Sequence, residues 1–202
     1  VVAWLAGCTA LTSAFAAGLD NYAILAGDVY GYAIDKRTHP GERFVGKTAV
    51  LGLGFGMGAP KFKVTCWNQG RAQGLSPAMC RIDDDMANKT VKTYRTKYHE
   101  IPTYWRTMDN VIGALSMRQS MKVGVLQVDG PSQTIILPNG MPLFYENMRK
   151  ETTKGFDGKT KNQWVFDYGR ETKYTFGGKM TENVVQACAR IITMNAATRI
   201  RR

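Results

Sequence analysis

The chain has 202 residues, 44% of them hydrophobic and 21% charged, a balance that excludes a disordered polypeptide and allows one large domain or two small ones. Its 27 Lys and Arg against 16 Asp and Glu leave a net charge of +11, which favours a polyanionic partner: nucleic acid, nucleotide or acidic membrane. Cys8, Cys66, Cys80 and Cys188 form no C-x-x-C pair and the only histidines are His39 and His99, so no spacing reads as a zinc site, and the scattered thiols point to a reducing compartment.

The predicted elements run as follows. Residues 1–19 carry no charge. They are rich in Ala, Gly, Ser and Thr and end at Asp20, at the lower length limit for a membrane span, so 1–18 reads as one buried helix stopped by Gly18. No initiator Met or basic lead precedes it, which argues against a signal peptide and leads us to expect a piece of a longer protein. Asp20 is placed to cap a second helix through Tyr30, with Gly31 ending it. Residues 36–41 form a polar turn. A helix follows over 42–56, weakened by Gly46, Gly52 and Gly54, whose presence suggests close packing or ligand approach along one side. Residues 60–75 look irregular. Ser76-Pro77 opens a helix expected to run from Met79 through Tyr98, and Pro102 starts another through Leu115. Residues 121–145 alternate like strands around a Pro138-Asn139-Gly140 turn, 150–163 read as an exposed loop, and 164–176 supply two more strands. Thr181 is expected to cap a last helix to Thr198. The fold class is α+β, mostly helical.

Three motifs compete for residues 41–59. Gly41-Glu-Arg-Phe-Val-Gly46-Lys47-Thr48 satisfies the P-loop pattern, in which backbone N–H groups cradle phosphates and Lys47 reaches the terminal ones. A P-loop needs an apolar strand feeding into it, and the approach here is polar. Gly54-Phe-Gly56-Met-Gly-Ala59 resembles a dinucleotide fingerprint, but Pro60 follows at once and no strand precedes the acidic run Asp83-Asp84-Asp85. The third pattern is Arg43, Lys47, Leu51 and Phe55 at four-residue spacing, followed by Gly56. A helix stacks these side chains along one drifting face that runs from two cations to two apolar groups. That order suits a ligand with a polyanionic end and a flat end, as in a nucleoside triphosphate. An ordinary amphipathic helix with two solvated cations is the other reading of those four residues.

This helix resembles the nucleotide-binding helix in the fingers of family A DNA polymerases, the DNA polymerase I group, and the resemblance continues along the chain. Val2-Ala-Trp-Leu-Ala6, Ala17-Gly-Leu-Asp20-Asn-Tyr22 and Val29-Tyr-Gly31 resemble successive landmarks after the first catalytic motif. Tyr94-Arg-Thr-Lys-Tyr98 with Ile101-Pro102 and Trp105 is similar to a long fingers helix of phage members, and Leu137-Pro-Asn-Gly140 to their strand-turn. Gly177 to Arg190, with Glu182, Asn183 and Gln186, resembles the helix before the second catalytic motif.

The resemblance implies a fingers subdomain with partial palm in an incomplete right-hand architecture. Residues 1–35 would be palm-to-fingers helices, 36–120 fingers helices with the nucleotide-binding helix at 42–56, 121–178 a strand-rich return segment, and 179–202 a palm helix. It implies a DNA-directed DNA polymerase, a nucleotidyltransferase of DNA replication. Arg43, Lys47, Leu51, Phe55 and Tyr22 would bind the incoming dNTP, with Lys47 also a general acid for pyrophosphate or else a purely electrostatic contact. Tyr22 is equally a packed core tyrosine. Gln186, Asn183 and Gly56 would contact primer-template DNA. Leu51 stands where the family often has Phe or Tyr, which bears on sugar discrimination, and Phe55 replaces the usual Tyr, losing a hydroxyl but keeping an aromatic face for stacking on a base. Two Mg2+ ions would serve the full-length enzyme through carboxylates outside this chain. In a helical segment the run Asp83 to Asp85 reads as solvated acids rather than a metal site. The fragment alone is expected to be inactive, monomeric, free of membrane and cytoplasmic in a phage's bacterial host. A P-loop NTPase using Gly41 to Thr48 and a non-enzymatic basic nucleic-acid-binding module are the alternatives.

Overall fold

Apolar residues that recur every three to four positions form the helices of the first half of the chain, as such a period buries one face. The computed structural model describes residues 1–154 and 160–200. In chain order the helices are α1 (Val2–Ala6), α2 (Thr9–Ala16), α3 (Asn21–Tyr30), α4 (Pro40–Gly52), a 3₁₀ turn (Leu53–Phe55), α5 (Ala59–Ala72), α6 (Pro77–Cys80), α7 (Asp84–Lys97) and α8 (Glu100–Ser116). Seven strands follow: β1 (Met121–Val123), β2 (Leu126–Asp129), β3 (Thr134–Ile136), β4 (Pro142–Phe144), β5 (Glu146–Lys154), β6 (Thr160–Tyr168) and β7 (Glu171–Thr175), before α9 (Gly177–Ile200).

The chain divides into two compact units, one of residues 6–102 and one of residues 1–5 with 103 onward. In the first, α3 packs on α4, and α5 and α7 lie together. Leu25, Val29, Phe44, Val45, Ala49, Phe62, Val91 and Tyr94 are buried in its core. In the second, strands β1 to β4 form an antiparallel sheet in sequence order, and β5 to β7 form another. Met108, Val111, Ile112 and Leu115 of α8 are buried, as are Met180, Val184 and Cys188 of α9.

Several expected boundaries are corrected. The single helix over 1–18 is two, because Gly7 adopts φ +71, which a helix interior does not allow. The helix over 42–56 starts earlier, at Pro40, and its α-geometry stops at Gly52, leaving Phe55 in the 3₁₀ turn. Residues 60–75 are not irregular: α5 occupies most of them, anchored by buried Phe62, Cys66 and Gly70 at four-residue intervals. The run from Met79 to Tyr98 is broken between Cys80 and Asp84. The loop over 150–163 is largely two paired strands, with Lys150 opposite Trp164 and Thr153 opposite Lys161; Gly155 and Gly158 lie outside the described residues. Thr181 does not cap α9. The helix begins at Gly177, and the buried Thr181 hydroxyl donates back to the Gly177 carbonyl.

Candidate functional site

Helix α4 is buried along Phe44, Val45, Gly46, Thr48 and Ala49. The remaining stripe carries Arg43, Lys47, Val50 and Leu51, each at least partly accessible, with Leu51 56% exposed. Two cations and an apolar end therefore share one accessible side of the helix. Phe55, half-buried in the 3₁₀ turn, follows this stripe rather than continuing it on the same helix. Gly56 takes φ +84 and its N–H donates to the Leu53 carbonyl, which closes the turn.

The arginine is held. Its Nε–H donates to Asp20 Oδ2 at 2.6 Å, and its guanidinium carbon lies 5.4 Å from the centroid of the Tyr22 ring. The other oxygen of Asp20 accepts from the N–H groups of Tyr22 and Ala23, both at 3.1 Å, so the same carboxylate caps α3. Burial works to raise the Asp20 carboxyl, but the hydrogen bond from Arg43 and those from the backbone outweigh it and leave the group below its ordinary value. Nε is one of five guanidinium donors. The Asp20 bond fixes that edge while the terminal nitrogens make no hydrogen bond to the described residues. Lys47 forms no ion pair with any described residue. Gly46 lets the two helices approach: a Cβ there would stand 2.2 Å from the Tyr22 carbonyl oxygen. The structure thus brings Tyr22, Arg43 and Lys47 together on the α3–α4 pair. It adds Asp20, which the sequence marked only as a cap.

The P-loop alternative fails on geometry. Gly41 to Thr48 lie inside α4, and Gly41 and Gly46 are packed against Met79 and Tyr22 rather than open to a phosphate. The dinucleotide fingerprint also fails, because α4 and not a strand leads into it. In the acidic run, Asp83 accepts from the Met86 N–H to cap α7, and Asp84 pairs with Lys63 at 2.9 Å. Among the described residues no three His, Cys, Asp or Glu side chains converge to hold a metal ion.

On α9, Asn183 donates through its amide to the Tyr145 hydroxyl at 3.3 Å. Burial pushes that phenol up to about 12, so it stays a neutral partner. Gln186 is exposed and donates one amide hydrogen to Glu182 at 3.1 Å, one turn earlier. Its second N–H and its carbonyl make no bond to the described residues. Asn183 and Gln186 both line one groove beside β4, which also holds Arg190. No helix among the described residues is long and apolar enough to cross a membrane.

No family model matches the chain, and no solved structure matches it. It is similar to a DNA polymerase of Bacillus phage SP02, with 29% identity over 212 residues. The alignment covers 94% of this chain and 29% of that protein, so the chain spans less than a third of the relative's length.

Proposed function

We propose that the chain is part of a phage-type family A DNA polymerase and that the accessible stripe of α4 captures the incoming deoxynucleoside triphosphate. The observation that carries this reading is the Arg43 guanidinium, oriented by Asp20 and Tyr22 on the same helix side as an ion-pair-free Lys47. A triphosphate presents several anionic oxygens, which the terminal nitrogens of Arg43 and the ammonium of Lys47 meet through charge-assisted hydrogen bonds. Leu51 and Phe55 offer nonpolar surface for the sugar and base. Lys47 is also positioned by chemistry to give a proton to the pyrophosphate oxygen as its bond to the α-phosphorus breaks. Gln186 and Asn183 contact primer-template DNA in the same reading. Magnesium, bound by carboxylates elsewhere in a longer polymerase, would stabilise charge on the phosphates.

The test is titration of the chain with a fluorescent dNTP analogue, against Arg43→Gln and Lys47→Gln. Each substitution removes charge-assisted contacts and is expected to weaken binding by about 1.5–3 kcal/mol, roughly tenfold or more. Undiminished nucleotide affinity in the double variant would overturn the reading and favour a basic nucleic-acid-binding module.

A further inference from the structure

Capture of a nucleotide on α4 leaves the exposed aromatic residues of the other unit without a task. We infer that a groove formed by β4, the β5–β7 sheet and α9 holds a single-stranded nucleic acid, stacking its bases on Phe144 and Tyr168 and pairing its phosphates with Lys173 and Lys179. The inference deepens the DNA contact assigned to α9 and rests on that reading for the presence of nucleic acid there.

Two adjoining cavities of about 770 and 850 Å³ share Pro142, Leu143, Tyr168 and Asn183, so they form one continuous groove. Phe144 and Tyr168 line it while remaining 57% and 62% exposed. Large aromatic faces left in water lose the free energy that burial would return, about 25 cal/mol per Å². Cations sit over two rings: Lys173 Nζ is 4.3 Å from the Tyr168 centroid and Lys179 Nζ 4.1 Å from that of Tyr174, so a base stacks on Tyr168 from the face that Lys173 leaves open. Arg190 adds a third positive charge along the α9 side.

Among the described residues no carboxylate lines either cavity. Strand alternation places Asp167 on the sheet face opposite Tyr168, where Arg149 and Asn147 bind it at 3.0 and 2.8 Å. Glu171 does reach Lys173, at 3.5 Å, but its side chain is 74% exposed, and such a pair is worth little against a phosphate. Net positive charge with flat apolar surface matches the alternating phosphates and bases of one strand. A duplex hides its base faces in its own stack and cannot use Phe144 or Tyr168 in this way. The amides of Asn183 and Gln186 add neutral donors and acceptors on the same wall.

The test measures fluorescence anisotropy of a labelled single strand of about twelve nucleotides and of the matching duplex with the chain. Phe144→Ala with Tyr168→Ala is expected to weaken single-strand binding about thirtyfold or more and leave duplex binding unchanged. Tyr168→Phe keeps the ring and should keep the affinity. Lys173→Gln with Lys179→Gln should reduce the steepness of the single-strand salt dependence by about 1.4, roughly 0.7 per lost phosphate contact. Circular dichroism checks that each variant is folded, and the lysine pair carries the test if the aromatic pair is not. Single-strand affinity that ignores the aromatic pair, or a loss shared equally by the duplex, overturns the inference. So does no single-strand binding at all, the result expected if a protein segment covers the groove. Titration of each groove variant with the fluorescent dNTP analogue reads nucleotide capture on its own. A failure of the groove is thereby separated from a failure of nucleotide capture.

Discussion

Asp20 serves two partners with one carboxylate. One oxygen caps α3 through Tyr22 and Ala23, and the other orients Arg43. Asp20→Ala should therefore lower stability by about 0.5–2 kcal/mol, the usual cost of a lost cap, whereas Asp20→Asn keeps a capping oxygen and should cost less. Denaturant melts of both variants measure the difference. The pH dependence follows from the lowered carboxyl. A group depressed in the folded state contributes stability above its unfolded value, near 3.9 for Asp, and loses it as pH falls through the folded value. Wild-type stability should thus drop below about pH 4 by more than that of Asp20→Asn. The cap was legible because a caps residue stands directly before a helical run. Its bond to Arg43 was not, since 23 positions separate the two and only packing brings them together.

Helices α3 and α4 meet at Gly46. Ala is the better helix former, by up to about 1 kcal/mol over Gly, so an isolated α4 would gain from Gly46→Ala. In the protein the new Cβ would stand 2.2 Å from the Tyr22 backbone oxygen, and a carbonyl in a capped first turn cannot rotate away. The clash wins: thermal melts should show a net loss of about 1–3 kcal/mol, the range for overpacking. Weakened nucleotide binding should accompany it, as α3 carries the Asp20 and Tyr22 that position Arg43. The three glycines in this stretch were read as marks of close packing or ligand approach, and for Gly46 packing is the outcome. Helix α5 was missed because only three positions at four-residue spacing are buried, too thin a stripe to stand out among Lys, Asn, Gln and Arg. Residues 150–154 of β5 and 160–163 of β6 were read as a loop because polar Thr, Lys and Asn dominate them, and their pairing is a cross-strand property.

Across the molecule Cys8, Cys66, Cys80 and Cys188 are free and buried. Burial pushes the Cys66 thiol up to about 12 and raises Cys8 and Cys188 as well, so the reactive thiolate is scarce at neutral pH. A disulfide-type thiol reagent should label none of the four quickly in native protein and all four in denaturant. Fast native labelling would show that the units open far more readily than their packing implies. The cysteine spacing argued against a disulfide framework, and the four thiols are free. Such conclusions, like the cap at Asp20, the stop at Gly31 and the four-residue recurrence of Arg43, Lys47 and Leu51, depend on composition or on neighbours within one or two turns, and one sequence contains them in full. The tertiary structure alone decided that Gly41 and Gly46 pack against Met79 and Tyr22, that Arg43 is held by Asp20, and that Phe144, Tyr168, Lys173 and Lys179 line a single groove. Each of these depends on which segments pack against one another, a choice made by the summed burial of many distant side chains.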